Sequence, residues 1–136
     1  MRVMDSSKIR SRVWVEVNLD TLEENFNKIR TAVDPAKVLA VLKANAYGLG
    51  VEKIAERLNR AGAAGFCVAV LKEALPLIRF GKPVQILGGV LDYEIPEAVA
   101  HGIILGITDM ETAKKSSPAA VRRGKTAGCH CNRVTG

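Results

Sequence analysis

Aromatic residues are scarce in this chain. One Trp, two Tyr and three Phe make up 4% of its 136 residues, so Leu, Ile, Val and Ala must fill most of any core. No run of about 18 apolar residues occurs, so no segment is expected to span a membrane. Met1 to Ser11 is polar and basic and lacks the apolar stretch of a secretory signal. The three cysteines, Cys67, Cys129 and Cys131, are an odd number in a chain without such a signal. That points to reduced thiols and a cytoplasmic location. Cys129-His130-Cys131 has no second ligand pair to complete a structural zinc site. In a strand its two thiols would also point away from His130, so no metal is expected.

What is present is ordinary for a soluble globular domain, with 48% apolar and 25% charged residues. A single domain of this length buries roughly two thirds of its unfolded surface. The net charge of +6 is unevenly spread. Residues 1–109 hold 14 basic and 13 acidic side chains, and residues 110–136 hold 6 basic and 1 acidic. Nucleic-acid binding would want a basic face with aromatics for stacking. The basic stretch has no aromatic residue, so it reads as solvated surface.

Strand and helix patterns alternate along the chain. Val13 to Asn18 reads as a short strand. Asp20, with Glu23 three residues on, reads as a capping box for a helix whose apolar face is Leu22, Phe26, Ile29 and Val33, ended by Asp34-Pro35. Lys37 to Leu42, Gly65 to Val70, Pro83 to Leu87 and Ile103 to Ile107 are near-continuous apolar runs, as expected of strands buried on both faces of a parallel sheet. Helical patterns lie between them at Val51 to Ala61, Leu71 to Phe80 and Ile95 to Ala100. Pro76 should bend the second of these, and Pro96 near the start of the third is tolerated. His101 is expected at that helix's C-terminal end. Asp109 caps a further helix, which Ser116-Ser117-Pro118 should interrupt before Arg123. Thr126 to Val134 is a poorly patterned fifth strand. The alternation predicts an α/β fold of βα units with parallel strands.

One lysine stands where chemistry is done in such folds. Lys43 follows a buried strand and opens a glycine-bearing loop, Ala46 to Gly50. The carboxyl ends of parallel barrel strands form the active-site face, and a lysine amine there can attack a carbonyl carbon. A strand-end lysine can equally well snorkel to solvent. Tyr47, Gly48 and Gly50 would let backbone and hydroxyl approach an anion at the start of the helix near Val51. A tight βα turn needs the same residues, and the glycine pattern is neither a Walker loop nor a dinucleotide fingerprint.

The stretch Ala40-Val41-Leu42-Lys43-Ala44-Asn45-Ala46-Tyr47-Gly48-Leu49-Gly50 resembles the pyridoxal-phosphate attachment motif of alanine racemases. Trp14-Val15-Glu16-Val17-Asn18-Leu19, Phe66-Cys67-Val68-Ala69-Val70 with Glu73-Ala74, and Ile86-Leu87-Gly88-Gly89 are similar to neighbouring parts of that family. The resemblance extends over about residues 12 to 126. It implies a parallel (β/α)8 TIM-type barrel, of which residues 1–136 hold the first four to five units. It also implies that residues 12–18 form a strand belonging with a C-terminal β-domain. It makes Lys43 the catalytic residue that holds pyridoxal 5'-phosphate and serves as acid or base on one face of the substrate carbon. Tyr47 becomes a cofactor-binding residue at the phosphate. The implied reaction interconverts L- and D-alanine, supplying D-alanine for peptidoglycan, in a cytoplasmic homodimer. The second acid or base is then a tyrosine from the C-terminal domain of the partner subunit. Another amino-acid racemase of the same fold, or a catalytically dead remnant that still binds the cofactor, would carry the same stretch.

Three departures from the family stand out. Leu49 replaces a His. In His130-Cys131-Asn132-Arg133-Val134-Thr135-Gly136, Asn132 replaces a lysine that is carbamylated in many members, and Val134 replaces an Asp. Residues 116–136 form a divergent tail, and the chain stops where the family continues. A chain that is inactive on its own, as a fragment or the product of a damaged reading frame, is therefore expected.

Overall fold

The computed structural model describes residues 13–131. Five parallel strands, β1 (Leu39–Val41), β2 (Gly65–Val68), β3 (Val84–Ile86), β4 (Leu105–Ile107) and β5 (Cys129–Cys131), follow one another in space in chain order. β1 pairs with β2 and β2 with β3, Val41 lying beside Cys67 and Val68 beside Ile86. β4 pairs with β5. The two groups are joined at a single bridge, Gln85 to Ile104, where Ile104 donates to Val84 and accepts from Ile86 at 2.9 Å each. A sheet that adds each strand beside the last has no point where the order reverses. It therefore lacks the crevice at which doubly wound sheets bind ligands.

Helices connect the strands. They are α1 (Leu19–Ala32), α3 (Val51–Arg60), α4 (Leu71–Ala74) running into a 3-10 helix (Leu75–Phe80), α5 (Ile95–Ala100) and α6 (Met110–Val121), with a short turn, α2 (Lys43–Tyr47), after β1. The core lies between helices and sheet. Phe66, Val68, Ile86 and Leu105 are fully shielded, and Phe66 meets Phe80 edge-on with centroids 5.7 Å apart. Burying each such side chain contributes about 1.5–3 kcal/mol. Pro76 does what its chemistry demands. It has no N–H to give, and the α-helical turn ends just before it, giving way to 3-10 geometry.

The fold corrects several expectations. Residues 13–18 form no strand, and Val13, Trp14 and Val15 are exposed. A strand needs a ladder partner, and the resemblance places this segment's partner in the C-terminal β-domain. The N-cap of α1 is Asn18, whose Oδ1 accepts from the Asp20 and Thr21 amides. Asp20 and Glu23 instead accept from Arg57 at 2.6 and 3.0 Å, tying α1 to α3. This pairing holds the Asp20 carboxyl below its ordinary range. β1 is buried on one face only, since Leu39 and Val41 are exposed while Ala40 is shielded. Helix α6 runs through Ser116-Ser117-Pro118 without interruption. The Ser116 hydroxyl bonds back to the Thr112 carbonyl, and burial of Ala119 and Ala120 draws the last turn onto the core. The fifth strand begins at Cys129, later than the expected Thr126, and runs to Cys131, with Asn132 to Val134 outside the described residues. His101 does end α5, its amide bonding to the Glu97 carbonyl while the Gly102 amide bonds to that of Val99.

Candidate active site

The strands end on one side in four short connections, and the first is unlike the rest. After Leu42, which is buried, the chain enters α2. Ala44, Asn45, Ala46 and Tyr47 have φ of 52°, 54°, 54° and 55°, and ψ for the first three lies between 46° and 48°. This is one turn of left-handed helix. Each L-residue so placed costs roughly 1–2 kcal/mol, less for Asn, so the turn persists only where its surroundings outweigh the cost.

The compensating contacts can be named. The Ala46 amide returns to the Leu42 carbonyl at 3.0 Å, Gly48 to Ala44 at 2.9 Å and Gly50 to Asn45 at 3.1 Å. The Ala46 side chain is buried. The Asn45 side chain accepts from the Val51 amide at 2.9 Å. One oxygen of Glu73 accepts from the Ala44 amide at 2.7 Å, and its other oxygen accepts from Ala69 at 3.0 Å. The leading amide of the helix start near Val51 is thus taken by Asn45.

Lys43 is the first residue of this turn and is partly exposed. The left-handed winding brings Tyr47 back towards it, and Lys43 Nζ lies 5.8 Å from the centre of the Tyr47 ring. The two predicted site residues are therefore brought together. Tyr47 is exposed, as is Leu49. A Cβ added at Gly48 or Gly50 would meet nothing within 4 Å, so the space beside the lysine is open. Cys67 lies beside Val41, and burial raises its thiol above the usual range. It stays a neutral thiol and does not compete with the amine as a nucleophile.

At the far side of the sheet, Gly106 lets β4 approach the end of β3, since a Cβ there would lie 2.2 Å from the Gly88 carbonyl oxygen. Asp109 then caps α6. Its carboxylate accepts from the Thr112 amide and from the Thr108 and Thr112 hydroxyls, and these bonds hold its pKa below the ordinary 3.8. Asn132 and Val134, the other departures from the family, lie outside the described residues.

Asn45 and Glu73 hold this turn through hydrogen bonds to its amides and their neighbours, and sequence reasoning assigned neither a role. Glu73 could have been found by asking which acceptors the amides at a strand end would use, because buried amides are almost always paired.

Parallel strands in chain order, with a lysine amine and a phenol brought together on the loop after the first strand, define an α/β protein built of βα units. The alanine racemase N-terminal domain matches residues 17–136, and the chain belongs to that family. An alanine racemase of Desulforamulus reducens is 34% identical over 131 residues, covering 94% of this chain and 35% of the relative. Among solved structures, an alanine racemase of Clostridium difficile superposes with a TM-score of 0.82 at 31% identity, covering 90% of this chain and 33% of the other. An alanine racemase of Bartonella henselae with covalently bound pyridoxal phosphate gives 0.77 at 28% identity, covering 83% and 32%. A histidine racemase of Leuconostoc mesenteroides gives 0.73 at 28% identity, covering 82% and 30%. The chain spans about a third of the length of the relatives it matches.

Proposed function

We propose that this chain carries the lysine half of a pyridoxal-phosphate-dependent racemase acting on alanine. The observation that carries the reading is the placement of Lys43 Nζ beside the Tyr47 ring, on a turn with open space at Gly48 and Gly50. An amine suits the cofactor's aldehyde and a phenol suits its phosphate, so the residues present fit the group. When bound, pyridoxal phosphate supplies an electron-withdrawing ring that makes the substrate α-proton acidic. Lys43 would hold the cofactor covalently and, once free, carry a proton to or from one face of the α-carbon. Tyr47 would donate its hydroxyl to the phosphate.

Inversion needs a second proton carrier on the opposite face. The resemblance assigns it to a tyrosine of the partner subunit, in the two thirds of family length that this chain does not span. The chain alone is therefore expected to bind the cofactor without racemising alanine. The sequential order of the five strands supports their being part of a closed eight-stranded barrel. Exposed Leu91, Tyr93 and Met110, on the connections after β3 and β4, support a subunit contact at that end of the sheet.

The test is reductive trapping. With pyridoxal phosphate and borohydride, peptide mapping should find the reduced adduct on Lys43 in preference to the other lysines, and Lys43→Ala should abolish it. Adduct spread evenly over the lysines would refute the reading. The Leuconostoc neighbour favours one alternative, a racemase for another amino acid. Chiral chromatography of alanine and histidine incubated with a form of the enzyme that includes the rest of the family length distinguishes the two.

A further inference from the structure

The geometry points to Glu73 as the positioning residue for Lys43, its carboxylate acting as a wedge that starts the left-handed turn. The inference rests on reading Lys43 as the attachment residue, and it goes beyond that reading by naming what aims the amine.

Parallel ladders bond every second residue of each strand. The last rung between β1 and β2 is the Leu42 amide to the Cys67 carbonyl, at 2.8 Å. The next rungs would use the Ala69 amide and then the Ala44 amide. Neither is made. The Leu42 carbonyl is taken by Ala46, and the two strands part. Both orphaned amides go to one carboxylate, Ala44 to Oε1 at 2.7 Å and Ala69 to Oε2 at 3.0 Å. Glu73 thus replaces two rungs at the point of divergence.

The Ala44 amide belongs to the peptide that leaves Lys43. Fixing that peptide plane fixes the Lys43 backbone and the first left-handed residue together. The carboxylate is itself anchored, because the Glu73 amide bonds to the Val70 carbonyl at 3.2 Å, and α4, which carries Glu73, packs on the core through Leu71 and Ala74. Two parallel acceptors are required. An amide side chain would offer one oxygen and turn an NH2 donor towards the other N–H.

The experiment uses Glu73→Gln and Glu73→Asp beside the unaltered chain. Losing a hydrogen bond to a charged acceptor shifts an equilibrium by about tenfold. E73Q should therefore lower borohydride-trapped pyridoxal phosphate on Lys43 by about that factor at fixed cofactor. Trapping on Lys53 and Lys72 should not change. The induced circular dichroism of the bound cofactor should fall with it, and E73D, which keeps both oxygens, should restore part of each signal. Trapping on Lys43 at the unaltered rate in folded E73Q overturns the proposal. If the unaltered chain shows no preference for Lys43, the cofactor reading fails instead. The wedge is judged independently by amide hydrogen exchange in the unaltered chain. Ala44 and Ala69 protected like the Leu42 rung support it, and fast exchange at both overturns it, including where E73Q does not fold.

Discussion

Replacing Ala44 by glycine should stabilise this protein, against the usual sign. In ordinary helix or strand an Ala→Gly change costs roughly 0.5–1 kcal/mol, because glycine loses more freedom on folding. Ala44 sits at φ 52° and ψ 46°, where an alanine Cβ is strained by roughly 1–2 kcal/mol and glycine is not. The Ala44 side chain is exposed, so its removal opens no cavity. Subtracting the entropy cost leaves a gain of about 0.5–1 kcal/mol. With a urea slope of about 1–3 kcal/mol/M, the midpoint should rise by a few tenths of a molar. Gly48→Ala is the reciprocal change. Gly48 has φ 83° and nothing within 4 Å of an added Cβ, so its penalty is conformational alone, and the midpoint should fall by a similar amount. Ala113→Gly, inside right-handed α6, should lose about 1 kcal/mol. A44G that destabilises as A113G does would refute the left-handed turn, and with it the account of how Lys43 is aimed.

Two further outcomes follow from the far side of the sheet. Gly106→Ala would push a Cβ to 2.2 Å from the Gly88 oxygen and 2.9 Å from the Ile86 oxygen. The strands must separate at a joint held by one bridge, so a loss of about 1–3 kcal/mol is expected in urea unfolding, and exchange of the Ile86 and Ile104 amides should quicken. The Asp109 cap should show as acid sensitivity. Its folded pKa is depressed from 3.8, so its contribution is present above the unfolded value and is lost as pH falls through the folded one. Asp109→Asn keeps an acceptor without the charge, so the part of the stability-against-pH curve below pH about 4 should flatten. An unchanged acid limb in that variant would show the cap to be electrostatically idle.

The parts of the fold that depend on period and composition were legible in advance. The apolar runs around Ala40, Phe66, Val84 and Leu105 became the first four strands, and α5 fell at Ile95–Ala100 as its proline and glycine foretold. The failures share a cause, which is that a partner far along the chain decided the outcome. Asp20 and Glu23 have the spacing of a capping box, but Arg57 claims both, and Asn18 caps instead. Leu39 and Val41 look like core, but one face of β1 is uncovered.

The site divides along the same line. Lys43 and Tyr47 could be named from a motif, yet the motif's local residues argue against the conformation they adopt. Ala44, Ala46 and Tyr47 are ordinary L-residues with no intrinsic preference for positive φ, and Asn45 alone in Ala-Asn-Ala-Tyr favours a left-handed conformation. The turn exists because Leu42 ends a strand whose partner diverges, leaving amides at Ala44 and Ala69 that need an acceptor. A glutamate 29 residues downstream of Ala44 supplies one for both. The lysine motif is thus written at one place in the chain and the acceptor that holds its turn at another. A change at Glu73 that leaves every residue of the lysine motif intact should still impair attachment of the cofactor.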